Sequence, residues 1–260
     1  MRRLILEEPM SRAAAVSRRV AVFACLTAGA AIVVARATNG EDSLGSLAVF
    51  AAALLLAGLA LLLAGAAAVE IWNTGRRGTA EAAGGALLAL ALIAFPGYLT
   101  LEATRLPRIN QVTTDFKSPP SYMISSRARE ARGTWTPPPP EPDVEAAQRI
   151  AYPRIRPMLV DLEPDQAYRM SLRIAKELGW RIVDSAPPNL RGEGDAHIDA
   201  TTRSLFFAFA SDIAIRIRAQ GPKTEIDIRS ASRVGRHDFG TNARRVESFM
   251  DAVQQSVDAR

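Results

Sequence analysis

Three uncharged apolar runs, Val20–Ala35, Leu47–Val69 and Ala82–Leu101, constrain this chain more than any other feature. A helix that crosses a bilayer needs about 20 apolar residues at a rise of about 1.5 Å each. A water-soluble helix of that length would show a charged face, and these runs have none. They predict membrane helices at about 18–36, 46–70 and 80–101, within an anchor comprising residues 1–104. Glu70 and Glu81 fall at run ends, where a carboxylate reaches water. No ionisable side chain lies mid-span, so the pattern reads as an anchor and not as a transport path. Gly29, Gly58, Gly65, Gly84, Gly85 and many alanines would let the helices approach closely as a three-helix bundle. Pro96-Gly97 is predicted to kink or end the third helix.

The arginines orient the anchor. Arg2, Arg3, Arg12, Arg18 and Arg19 precede the first run, and Arg76 and Arg77 lie between the second and third. The first loop balances Arg36 against Glu41 and Asp42. Basic loops stay cytoplasmic. The N-terminus is therefore expected in the cytoplasm of a bacterium, the anchor in its inner membrane, and residues 105–260 in the periplasm. Ala35-Arg36-Ala37 also resembles a signal-peptide cleavage site. Retention is the favoured reading because another span follows so closely. The lone cysteine, Cys25, allows neither an internal disulfide nor a cysteine metal site.

Past residue 104 the composition turns polar. All but three of the 32 basic residues, Lys117, Lys176 and Lys223, are arginine. Acids are interleaved with them, which marks a mixed surface and argues against a nucleic-acid partner. Residues 105–157 hold Pro107, Pro119, Pro120 and the run Pro137-Pro138-Pro139-Pro140-Glu141-Pro142. This reads as an extended Pro-rich segment wrapping the domain behind it. Residues 158–260 read as an extracytoplasmic α+β core. Met158–Asp161 is a strand, Asp165–Leu178 a helix with Pro164 at its first position, and Arg181–Asp184 a strand. His197–Thr201 and Leu205–Phe209 are further strand candidates. Ile213, Ile215 and Ile217, then Thr224, Ile226 and Ile228, alternate with charged or small residues on either side of Gly221-Pro222, as a hairpin would. Thr241–Val257 is an amphipathic helix. The economical fold is an antiparallel sheet with two helices on one face, preceded by the transmembrane bundle.

The segment Ser230-Ala231-Ser232-Arg233-Val234-Gly235-Arg236-His237-Asp238-Phe239-Gly240-Thr241-Asn242-Ala243-Arg244-Arg245 is distinctive. With Ile109-Asn110-Gln111-Val112-Thr113-Thr114-Asp115, Ala151-Tyr152-Pro153 and Phe209–Arg216, it resembles domain-of-unknown-function family 1499 over nearly all of residues 105–255. The resemblance implies domain limits and no activity. Three positions depart from the family pattern. Gln111 stands where an acid is usual, Ser211-Asp212 where paired acids are usual, and His237 where a small residue is usual.

Arg233, Arg236, Arg244 and Arg245 crowd the passage from the last strand into the last helix, whose N-terminus offers free N–H groups and a positive dipole. With Asn242 they form a candidate site for an anionic small molecule or an envelope protein. Asp238 would either cap the helix or pair with Arg233 to brace the junction. Asp212, Arg216, Asp227 and Arg229 are secondary candidates. No Gly-x-Ser-x-Gly elbow occurs, and the two histidines, His197 and His237, have no metal-ligand spacing, so no catalytic residue, metal or cofactor is assigned. The expected function is a non-catalytic binding or interaction module of the cell envelope. The alternative is an envelope hydrolase or transferase working through Asp and Arg, with a cleft converging on Asp212, Asp227 and Arg233.

Overall fold

The structure is a computed structural model that describes residues 9–133, 135, 138, 142–189 and 194–259. Arg2 and Arg3 of the basic tail, and most of the proline run, lie outside the described residues. By internal contacts the chain forms two units: Met1–Leu101 with Phe206–Ala208, and Glu102–Leu205 with Phe209–Arg260.

The first unit is built on α1 (Arg12–Ala37), α2 (Ser43–Thr74) and α3 (Thr79–Arg105), each long and apolar enough to cross a membrane. Its interior is alanine. Ala21, Ala24, Ala57, Ala60 and Ala89 are fully buried in one cluster, while Leu55, Leu62 and Leu87 are 77%, 74% and 68% exposed. Large apolar side chains thus face outward, as they would toward lipid, and small ones let the backbones approach. At Gly85 an added Cβ would lie 2.5 Å from Ser17 Oγ and 2.9 Å from the Arg18 backbone nitrogen. The Ser17 hydroxyl donates to the Ala60 carbonyl at 2.8 Å, which satisfies it within the bundle. At the end carrying Arg76, Glu70 accepts from Ser11 Oγ and pairs with Arg76. Pro96 does not end α3, which continues for nine further residues to Arg105. A proline is tolerated in such helices because neighbouring groups and local adjustments make good the missing bond.

The second unit is α+β. Its antiparallel sheet contains β1 (Gln111–Thr113), β2 (Met158–Val160), β3 (Arg181–Ala186), β4 (Ala196–Arg203), β5 (Ala210–Gln220) and β6 (Lys223–Ser232). The order is β1-β6-β5-β4-β3, with β2 also pairing with β6. Gly221 has φ +60°, as a primed hairpin turn requires, and joins β5 to β6. α6 (Pro164–Glu177) and α7 (Thr241–Asp258) cover one face. There Ile198, Ile213, Ile215, Ile217, Ile226 and Ile228 are buried against Ile174 of α6 and Val246, Phe249 and Val253 of α7. Pro164 starts α6. Gly179, at φ +74°, ends it and turns Trp180 back, so that its N–H donates to Ala175 O and its ring stacks on Phe249 at 5.6 Å.

Two elements differ from the sequence reading. Leu205–Phe209 is not a strand but the loop of the β4–β5 hairpin, closed by Ser204 N–H to Phe209 O at 2.9 Å. Its apolar run mimics a buried strand, a confusion that periodicity cannot resolve. The Pro-rich segment also carries β1, α4 (Ser126–Arg132) and α5 (Pro142–Ala151). Residues of this segment lie over the second face of the sheet, the face bearing the odd-numbered residues of β6 and the even-numbered residues of β5.

Candidate functional site

The passage from β6 to α7 divides its polar side chains between the two faces of the sheet. Alternation along the strand sends Ser230 and Ser232 to the helix side. Ser230 Oγ donates to Asn242 Oδ1 at 2.8 Å, and Asn242 Nδ2 donates to Ser232 Oγ and Asn110 O, both at 2.9 Å. Arg245 donates to Ser230 Oγ and to Asn242 Oδ1, and burial lowers its guanidinium pKa to about 10. The end of α7 is already occupied by a carboxylate. Asp238 accepts from the N–H groups of Gly240 and Asn242, each at 2.9 Å. Gly240, at φ +71°, is confined: an added Cβ would lie 3.2 Å from the Tyr152 hydroxyl and 3.1 Å from Arg244 Nη1. Arg244 itself donates to Phe239 O at 3.0 Å. The chain entering the sheet is bound to this junction too, by Ser232 N–H to Asn110 O and Asp238 N–H to Ile109 O.

Arg233 turns to the opposite face and pairs with Asp212, not Asp238. Its Nε and Nη2 reach the two carboxylate oxygens at 2.7 and 2.8 Å, a bidentate fork. Asp212 is fully buried and has a second cation, Arg132 of α4, at 3.6 Å. Arg132 also pairs with the buried Asp199 of β4. Further along the face, Arg216 pairs with Asp227 at 2.7 Å and Asp115 at 3.1 Å, and Arg218 with Glu225 at 2.5 Å. Asp115, Glu225 and Asp227 bring carboxylate oxygens within 4.8 Å of one another. Arg216 and Arg218 supply the positive charge there. Burial, more than any neighbour, raises the Asp227 pKa, while Arg216 opposes the shift. The Arg132 and Arg229 guanidinium carbons lie over the Tyr122 ring, 5.0 and 5.2 Å from its centre, and burial raises its phenol pKa.

Arg229 is the exception on this face. It is 5% exposed, and its Nη2 donates to Gln111 Oε1 at 2.7 Å and Pro138 O at 2.5 Å. No carboxylate pairs with it among the described residues, and its Nε has no hydrogen-bond partner. Gln111, neutral where the resembled family tends to carry an acid, leaves this buried cation without a counter-charge among the described residues.

Beside Arg229 a cleft of about 580 Å³ opens, lined by Arg108, Asn110, Gln111, Pro138, Val144 and Arg236. Arg108 and Arg236 are exposed and make no ion pair among the described residues. Of the six junction residues nominated from sequence, Arg236 alone lines this cleft. Asn242, Arg245 and Asp238 knit the helix side, Arg244 holds the turn, and Arg233 belongs to the ionic face. Asp212, Arg216 and Asp227 are paired beneath the wrapping segment. Sequence reasoning misses Arg108, Arg132 and Tyr122. Arg108 adjoins the Ile109–Asp115 segment that carries part of the family resemblance, and that nearness is the one signal that could have found it.

A search of the curated proteins finds no match to the chain. The family described as protein of unknown function (DUF1499) matches residues 111–253, which span β1, both sheet faces, the junction and most of α7. The chain therefore belongs to that DUF1499 family, with three apolar helices preceding the shared domain.

Proposed function

We propose that the protein is a membrane-anchored periplasmic binding module that takes an anionic group of an envelope component, a phosphate or carboxylate, in the cleft between Arg108 and Arg236. The observation that carries this reading is the set of three arginines that have no carboxylate partner among the described residues at one cleft, two at its mouth and Arg229 behind Gln111 and Pro138. Guanidinium forks match such anions bidentately. The cleft's volume lies within the range of about 300–1,000 Å³ common for small-ligand sites. Asp238 fills the α7 terminus, which directs the reading to the cleft instead of the helix end. The basic residues flanking the first span and joining the second to the third support a periplasmic placement of the domain.

The test is an inorganic phosphate titration of the full chain in detergent, with sodium chloride at matched ionic strength as the reference. Wild type should show saturable stabilisation, about 2.7 kcal/mol at one hundred times the dissociation constant. Arg108→Ala combined with Arg236→Ala should abolish it. An equal response from wild type and the double variant would sink the reading.

A further inference from the structure

α1 and α3 run side by side within the helical unit. An added Cβ at Gly78 would lie 3.0 Å from Ala14 Cβ, one at Gly85 would lie 2.9 Å from the Arg18 backbone nitrogen, and Ala89 shares a buried cluster with Ala21 and Ala24. Beside this seam a cleft of about 480 Å³ opens between the two helices. Arg18, Arg19, Val22, Phe23 and Leu26 line it from α1, at a spacing that keeps them on one helical face. Glu81 lines it from α3.

Charged and apolar groups are separated along this cleft. Val22, Phe23 and Leu26 are exposed and belong to the uncharged run, so in a bilayer they meet acyl chains. Arg18 and Arg19 are the last charges before that run. Helical side chains lean toward the N-terminus of their own helix. This draws both guanidinium groups away from the apolar run and toward the level of Glu81, which lies one turn ahead of Gly85 on α3. The three charged ends thus gather at the depth of lipid headgroups. Glu70, at the same end of the unit, accepts from Ser11 and pairs with Arg76. Glu81 differs. Among the described residues no ion pair engages it, Arg18 or Arg19, although all three line one cleft.

We propose that this cleft holds one phosphatidylethanolamine molecule of the adjoining leaflet. Its phosphate rests on Arg18 and Arg19, whose guanidinium groups match phosphate bidentately. Its ammonium group meets Glu81, and an acyl chain follows Val22, Phe23 and Leu26. Basic pockets between membrane helices ordinarily take anionic lipids, and the acid among these arginines is what changes the choice. Phosphatidylglycerol offers the same phosphate but no cation. It leaves Glu81 unpaired beside a second negative charge, and such a contact selects against the wrong partner. The proposal is independent of the anion-binding reading, because none of these residues lines the cleft in the sheet unit.

The test is native mass spectrometry of the full chain in mild detergent, with an equimolar mixture of dioleoyl phosphatidylethanolamine and dioleoyl phosphatidylglycerol as the probe. Wild type should retain phosphatidylethanolamine in preference by about threefold or more, the scale of one exposed charge pair. Glu81→Gln keeps the shape of the side chain and should erase or reverse that preference. Arg18→Ala combined with Arg19→Ala should lower retention of both lipids. Equal retention of the two lipids by wild type would mean annular lipid only, and would overturn the proposal. A preference for phosphatidylglycerol would mark a simple basic surface and overturn it too, as would a phosphatidylethanolamine preference that survives Glu81→Gln. That comparison decides the matter even where the double arginine variant fails to fold.

Discussion

The two units solve the packing problem in opposite ways. In the helical unit the buried positions are small, mostly alanine with Ser17, Ser46 and Gly85, and the large apolar side chains point outward, so the fold rests on close backbone approach. In the sheet unit isoleucines fill one face, and the other face buries charge: Asp199, Asp212 and Asp227 are 1%, 0% and 0% exposed. Lipid supplies no hydrophobic drive between helices, so fit decides the first case. In the second, each buried ion has lost its water and is tolerable only while its partner stays. The helical unit should therefore be indifferent to outward changes and sensitive to added bulk, and the sheet unit sensitive to lost charge on a face that the sequence presents as ordinary polar surface.

Asp212→Ala is the harshest test of that difference. It removes the carboxylate shared by Arg233 and Arg132, taking from Arg233 its bidentate partner and leaving Arg132 with Asp199 alone. The sheet unit should lose about 3–5 kcal/mol in denaturant unfolding, while the helical content of the anchor in detergent is unchanged. A loss under about 0.5 kcal/mol, the scale of an ordinary surface substitution, would mean that this face is solvated and that the comparison fails.

Gly85→Leu is the counterpart in the helical unit. Its Cβ would press on the Arg18 backbone, which cannot rotate away. Overpacking of this kind costs about 1–3 kcal/mol, measurable as reduced resistance of the bundle to denaturing detergent. Leu62→Ala, on the outward surface, should leave the bundle intact. Equal effects from the two would mean that the outward leucines pack against protein.

These contrasts also mark how far the sequence could be read. The spans were legible from unbroken apolar length, and both covering helices and the β5–β6 hairpin from their own period and their own stop, such as Gly179 or Gly221. The opposed directions of Arg233 and Ser232 follow from strand alternation. What was not legible depends on residues far apart in sequence. Nothing local tells Arg233 to choose Asp212, 21 residues back, over Asp238, five ahead. Nothing in Ser126–Arg132 tells that short basic helix to bury Arg132 against β4 and β5. The cleft escaped for the same reason, since Arg108 and Arg236 become neighbours only through the bonds of Asn110 to Ser232 and Gly235.

Arg229 sharpens the comparison inside the sheet unit, because among the described residues it is a buried cation of that face with no carboxylate partner. Replacing it with an apolar residue of similar length should relieve a desolvation cost instead of breaking a pair. Arg229→Met is expected to be neutral or to stabilise by about 1 kcal/mol, and to weaken phosphate binding at the neighbouring cleft. A loss as large as that of Asp212→Ala would show that the Gln111 and Pro138 oxygens and the Tyr122 ring serve Arg229 as fully as a carboxylate would.

The smallest effect concerns pH. His197 pairs with Arg216 across β4 and β5, and burial lowers its pKa below the ordinary value, helped by Arg216 and opposed by Asp195. A lowered pKa means that the folded protein prefers the neutral ring, so on acidification the unfolded chain takes up the proton first. Stability from this group is fully present above about 6.5, the ordinary histidine value, and falls as pH drops from there toward the folded pKa. His197→Gln should flatten that segment of the stability profile and leave its slope above neutrality unchanged. Because the ring is only half-buried, solvent screens it and the change should be well below that of any ion-pair variant. A profile unchanged by the substitution would assign acid sensitivity to the carboxylates of the ionic face, and would make the contrast between the two units wholly one of paired charge against close packing.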